Sequence, residues 1–99
     1  MNNFFIDSHT HLDMKVYDKD REEVIENSIK SSVKYFLNVG YDLESSINSD
    51  KFSKNYDNIY GSLGFHPHDA KDFKDSYLID FEKLIKENKK ILAIGEMGL

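Results

Sequence analysis

Two histidines near the start of the chain, His9 and His11, are separated by a single threonine. Alternate side chains of an extended backbone point to the same side, so both imidazoles can reach one cation. Imidazole nitrogen is a common ligand of divalent transition metals. The spacing favours a metal pair over its alternative, two polar histidines in a surface loop, which short motifs of this kind also produce. The nearby acids Asp7 and Asp13 are weaker candidates, either as partners that orient the imidazoles or as turn caps.

A second histidine motif occupies residues 64–68, which read GFHPH. Its proline disfavours helical backbone at His66, so this imidazole can project from the end of an extended segment. The alternative is the start of a helix, with Pro67 as its first residue and the histidines bonded to nearby backbone. From the residues alone, both interpretations stay open.

The candidate carboxylate is Glu96, which ends an apolar run and has Gly95 before it and Gly98 two residues later. Glycines allow close backbone approach around such a side chain. A carboxylate buried without a cationic partner is costly, so a metal ion is a natural reason for one at this place. The alternative is an exposed glutamate in a turn.

Short apolar runs alternate with amphipathic segments along the chain, which is typical of βα units that build a parallel sheet. The apolar runs predict four strands, each buried on both faces, at residues 4–7, 35–39, 59–65 and 91–96. The segments between them predict three helices, at residues 20–31, from Asp42 to about residue 53, and at residues 77–88. The predicted fold class is α/β, with the order β-α-β-α-β-α-β.

The histidines and the glutamate occur at equivalent places in this order. His9 and His11 follow the first predicted strand, His66 and His68 follow the third, and Glu96 closes the fourth. The carboxyl ends of parallel strands lie at one edge of a sheet, and βα barrels build their active sites there. We therefore expect these side chains to share one edge of the sheet.

The composition restricts the classes of partner. A net charge of −5 and an isoelectric point near 5.2 argue against a protein that grips nucleic acid through a broad basic surface. The chain has no cysteine, which fits a reducing compartment, and no apolar run approaches the roughly 18 residues of a membrane span. We expect a cytoplasmic protein without a signal peptide, a membrane anchor or an obligate protein partner.

Three segments together resemble successive signatures of the TatD deoxyribonuclease family, namely residues 5–13 (FIDSHTHLD), 64–68 (GFHPH) and 93–99 (AIGEMGL). The resemblance implies a (β/α)8 TIM-barrel hydrolase that cleaves phosphodiester bonds of DNA, with exonuclease activity. It also implies divalent cations as cofactors, two per complete site. Imidazole and carboxylate ligands are compatible with Mg, Mn or Zn.

The resemblance further implies roles for single residues. His9 and His11 would bind one metal ion, and Glu96 would bridge two. His66 would contact the scissile phosphate, and His68 is a weaker candidate for the same surroundings.

The resemblance covers the whole chain but only the first part of the family's fold. A complete barrel takes roughly 250 residues, and four strands cannot close one. The family's later strands, with two further histidines and the catalytic aspartate, are absent from these residues. We therefore interpret residues 1–99 as a partial TIM-barrel hydrolase domain, a fragment that is inactive on its own. Two alternatives remain: an amidohydrolase acting on a C–N bond, and a non-catalytic product that binds a metal or a partner.

Overall fold

Four parallel strands form the centre of the structure, a computed structural model that describes residues 3–97. The strands are β1 (Phe5–Thr10), β2 (Val33–Val39), β3 (Ile59–Leu63) and β4 (Ile91–Ile94), and they lie side by side in that order. Each neighbouring pair is parallel. The predicted α/β class with a parallel sheet is confirmed.

Three α-helices connect the strands. They are α1 (Arg21–Lys30), α2 (Leu43–Asn55) and α3 (Ser76–Glu87), and short 3-10 helices occur at Lys15–Tyr17 and Pro67–Asp72. Asp42 caps α2 as predicted, because its side chain accepts a hydrogen bond of 2.8 Å from the Ser45 N–H. Within residues 3–97, no helix has both the length and the apolar character that a membrane span requires.

The strand ends differ from the prediction. β1 continues to Thr10, which pairs with Asn38 of β2, so His9 lies inside the strand and not after it. β3 and β4 end at Leu63 and Ile94, two residues before their predicted ends. β1 is longer than predicted because its polar end pairs with β2. The residue types at that end do not indicate this pairing.

The helices cover one face of the sheet. Two clusters of buried apolar residues lie there, the first formed by Leu12, Ile25, Phe36 and Ile59 and the second by Leu63, Phe81 and Ile91. The face that α2 buries carries mainly small polar side chains, Ser45, Ser46, Ser49, Asp50 and Ser53. Small side chains let this helix approach the sheet closely, so its backbone lies near β3.

The opposite face of the sheet is uncovered within the described part of the chain. Ile6 and Leu92 are 60% and 63% exposed there, and they border a shallow apolar cavity of about 290 Å³ with Tyr35 and Tyr60. The prediction that every strand is buried on both faces is therefore wrong. Burial of the second face needs another layer, which residues 3–97 do not supply.

We expect the 99-residue chain to self-associate through this uncovered face, because association removes its exposed apolar side chains from water. Size-exclusion chromatography with light scattering should show oligomers. Leu92→Lys should shift the chain toward monomer, whereas Ile79→Lys, at a position 72% exposed on α3, should leave the association unchanged. A monomer peak for the unsubstituted chain would contradict this expectation.

Asn38 of β2 organises the turn that follows β1. This side chain is fully buried, its Oδ1 accepts from the Leu12 N–H (2.6 Å), and its Nδ2 donates to Asp13 Oδ1 (3.0 Å) and Ser49 Oγ (2.7 Å). One amide group therefore joins β2, α2 and the turn directly after His11.

Replacing Asn38 by alanine should lower the free energy of unfolding by about 2–4 kcal/mol, because it removes several hydrogen bonds and leaves the Leu12 N–H buried without a partner. Urea unfolding of the native protein measures this change. Asn27→Ala on the exposed surface of α1 is the control and should change stability by less than about 0.5 kcal/mol. Equal changes in the free energy of unfolding for both substitutions would show that the hydrogen bonds of the buried Asn38 amide do not stabilise the fold.

Candidate metal centre

The carboxyl ends of β1, β3 and β4 bring the predicted site residues together. His9 lies in β1 and His11 directly follows it, His66 follows β3, and Glu96 follows β4. Parallel strands in one sheet end at the same edge, so residues more than 80 positions apart in sequence meet there.

The Glu96 carboxylate lies among three imidazoles. Its Oε2 atom is 3.5 Å from His9 Nε2 and 3.7 Å from His11 Nε2, and its Oε1 atom is 3.6 Å from His66 Nε2. These separations are longer than direct hydrogen bonds. Three imidazole nitrogens therefore surround this half-buried carboxylate.

The donor atoms of His9, His11 and Glu96 fit a common cation. One ligand atom from each residue lies within 4.8 Å of the other two. Ligands about 2.0–2.2 Å from one metal ion are roughly 3–3.5 Å from each other, close to the 3.5 and 3.7 Å that separate Glu96 Oε2 from the two imidazoles. Two imidazoles and a carboxylate also form a donor set that Zn and Mn accept. The residues present therefore fit a divalent cation.

His11 is oriented by the backbone of β2. Its Nδ1 atom lies 2.8 Å from the carbonyl oxygen of Val39, which can only accept a hydrogen bond. The neutral imidazole therefore carries its proton on Nδ1, and Nε2 keeps a free lone pair directed toward Glu96. A backbone carbonyl behind a histidine is a common way to fix the tautomer that binds a metal.

His66 is oriented in the opposite sense. Its Nδ1 atom accepts a hydrogen bond of 3.1 Å from the His68 N–H, so Nε2 of the neutral ring carries the proton. Pro67 is the first residue of the following 3-10 helix, which is the helix-start alternative for this motif. His66 itself has extended backbone, and the helix begins at the next residue, so the extended segment and the helix start describe neighbouring parts of this motif. The His66 Nε2–H can donate to an anion but has no lone pair for a metal.

The other polar candidates lie outside this cluster. The His68 side chain is exposed, although its ring lies beside that of His66. Asp7 accepts a hydrogen bond of 3.2 Å from the His9 N–H, and Asp13 faces the buried amide of Asn38. The two acids therefore support the backbone around the histidine pair.

A cavity of about 260 Å³ opens beside the cluster and adds residues that sequence reasoning missed. Its lining consists of His11, Met14, Tyr41, His66, Asp69 and Glu96. Tyr41 follows β2 by two residues, and this position just past a strand end is the signal that could have identified it. Burial, together with the nearby acids Asp13, Asp42 and Glu44, raises the pKa of the Tyr41 phenol, so this hydroxyl stays neutral.

Backbone hydrogen bonds fix the segment that carries Glu96. The Gly95 N–H donates to the Leu63 carbonyl at 2.7 Å, and the Ser62 hydroxyl donates to the Gly95 carbonyl at 2.8 Å. The Glu96 N–H donates to the Gly40 carbonyl at 3.2 Å. The backbone before the carboxylate is thus bound to β3 and to the end of β2.

The chain is similar to known proteins in sequence and in structure. A family model described as TatD related DNase matches residues 6–99. The uncharacterized metal-dependent hydrolase YabD of Bacillus subtilis is 39% identical over 93 residues, which are 94% of this chain and 36% of that protein. The 3'-5' ssDNA/RNA exonuclease TatD of Cronobacter sakazakii is 34% identical over 83 residues, which are 84% of this chain and 31% of that protein.

A solved structure shares the arrangement of strands and helices. The crystal structure of YjjV, a TatD homologue from Escherichia coli, superposes with a TM-score of 0.85 at 26% sequence identity. The superposition covers 96% of this chain and 37% of that protein. The chain therefore spans about a third of the length of the relatives that it matches.

Proposed function

We propose, because this chain belongs to the TatD-related DNase family, that it supplies divalent-cation ligands to a hydrolase that cleaves phosphodiester bonds in DNA. The observation that carries the proposal is the convergence of His9, His11 and Glu96 at the carboxyl edge of the sheet. Residues 1–99 would form part of a TIM-barrel hydrolase domain, in keeping with the superposition on YjjV. The absence of cysteine supports a cytoplasmic location.

The proposed ligands divide the cluster into two sides. His9 and His11 would bind a cation through Nε2, on the side of Glu96 Oε2. Glu96 would also hold a second cation, and its other carboxylate oxygen, Oε1, lies 3.6 Å from His66 Nε2. When bound, such cations lower the pKa of a water molecule and stabilise negative charge on the phosphate and leaving group. Mg, Mn and Zn are the candidate metals.

The chain's own residues would complete two further tasks. The Val39 carbonyl keeps the His11 lone pair directed into the site. The His66 Nε2–H would donate to a phosphate oxygen of the substrate, since its other ring nitrogen is occupied by the His68 N–H. With a net charge of −5 and no broad basic surface, the charge of a DNA phosphate would be neutralised locally by the bound metal, and His66 would add a hydrogen bond.

The test is metal-dependent cleavage by the native full-length protein. Single-stranded DNA labelled at the 3' or 5' end is incubated with Mn²⁺, Mg²⁺ or Zn²⁺ after treatment with a chelator. We expect nucleotides to be released only when a metal is restored. Hydrolysis of a cyclic amide with no cleavage of DNA would overturn the proposal in favour of an amidohydrolase, and metal binding with neither reaction would indicate a non-catalytic protein.

A further inference from the structure

Ser46 is a buried residue of α2, and its hydroxyl makes two hydrogen bonds, both with the backbone of one glycine. The side chain is 0% exposed, and its Oγ accepts from the Gly64 N–H at 3.1 Å and donates to the Gly64 carbonyl at 3.2 Å. Gly64 is the first residue after β3. A helix side chain therefore fixes both backbone groups of the residue at which this strand ends.

Gly64 lies in direct contact with the backbone that carries Glu96. A Cβ atom added to Gly64 would be 2.5 Å from the Gly95 carbonyl carbon and 2.6 and 2.7 Å from the O and N atoms of Glu96. Such distances leave no room for any side chain. A displacement of Gly64 would therefore displace the peptide before the carboxylate.

Gly40 connects Ser46 to the same peptide from the other side. The carbonyl of Gly40 accepts the hydrogen bond of the Glu96 N–H at 3.2 Å. A Cβ atom added to Gly40 would overlap Ser46 Oγ and lie 2.8 Å from Ser46 Cα. Ser46 thus lies against both glycines that support the Glu96 backbone.

We infer that Ser46 is a positioning residue for Glu96, which sets the distance of the carboxylate from the imidazoles through Gly64 and Gly40. This inference rests on the proposed role of Glu96 as a metal ligand. Ser46 itself touches neither a metal ion nor substrate. We expect its effect on the metal site to pass through the placement of Glu96.

The test compares two buried serines of α2 in the native full-length protein. Ser46→Ala should weaken Mn²⁺ binding roughly ten- to hundredfold, the effect typical of residues that orient a ligand. Ser53→Ala is the matched control, because Ser53 is 1% exposed and its hydroxyl also makes two hydrogen bonds, to the Asp50 carbonyl (2.7 Å) and from Asn88 Nδ2 (2.8 Å). The control should lower thermal stability and leave Mn²⁺ affinity unchanged. Should Ser46→Ala not fold, Ser46→Cys keeps most of the volume with weaker hydrogen bonds.

A double-mutant cycle with Glu96→Gln separates positioning from general destabilisation. If Ser46 acts through Glu96, the Ser46 substitution should change Mn²⁺ affinity little once the carboxylate is gone. Equal losses in both backgrounds, or an affinity unchanged by the Ser46 substitution, would overturn the inference alone. An affinity unchanged by Glu96→Gln would instead overturn the proposed metal site.

Discussion

Exchange of Glu96 for glutamine is expected to weaken Mn²⁺ binding by more than roughly a hundredfold, and the rate of DNA hydrolysis should fall with it. Glutamine keeps the size of the half-buried side chain but removes the charge of the group whose oxygens face His9, His11 and His66. Binding and hydrolysis are measured on the same preparation of the native full-length protein, by electron paramagnetic resonance of free Mn²⁺ and by nucleotide release.

The control for this substitution is Glu87→Gln, at an exposed position at the end of α3. It makes the same change of charge far from the histidines and should alter neither quantity. If Glu96→Gln kept the Mn²⁺ affinity of the unsubstituted protein, the carboxylate would not be a ligand.

Replacement of His66 by alanine should lower kcat by on the order of 10²- to 10³-fold, the effect of removing one donor to a developing negative charge. Metal content should stay close to that of the unsubstituted protein. The reason is the hydrogen bond from the His68 N–H to His66 Nδ1, which leaves Nε2 with a proton and not with a lone pair. Metal analysis and steady-state kinetics on the same samples measure the two effects.

Two other histidines provide the comparison. His11→Ala should lose metal in proportion to activity, because the Val39 carbonyl prepares its Nε2 atom for coordination. His68→Ala should change activity much less than His66→Ala, since its side chain is exposed and its backbone N–H remains. Loss of metal in proportion to activity in the His66 variant would make that residue a ligand and refute the distinction.

The positions of the helices follow from local residue pattern. α3 was predicted at residues 77–88 and spans Ser76–Glu87. Its stripe of apolar residues, which includes Phe81, repeats at helical spacing, and that information lies within a few turns of chain. The cap at Asp42 is equally local, because the carboxylate and the N–H that it accepts are three residues apart.

The shared location of the candidate site residues also followed from pattern, because parallel strands that alternate with helices must end at one edge of the sheet. From the sequence alone, His9, His11, His66 and Glu96 could therefore be expected at the same edge, and the structure places them there. Their role as ligands and substrate contacts stays a prediction. The family resemblance was likewise visible in three short segments and is confirmed by the family match.

Contacts between residues distant in sequence were required for the rest. The tautomer of His11 depends on a carbonyl 28 residues away, and the support of Glu96 depends on Ser46 through two glycines that no side-chain pattern connects to it. The exposure of Ile6 and Leu92 was not predicted, because an apolar strand has the same residue pattern whether or not a second layer covers it. Composition and periodicity indicate which side chains need burial or a hydrogen-bond partner. Which residue becomes that partner depends on the packing of strands and helices in three dimensions.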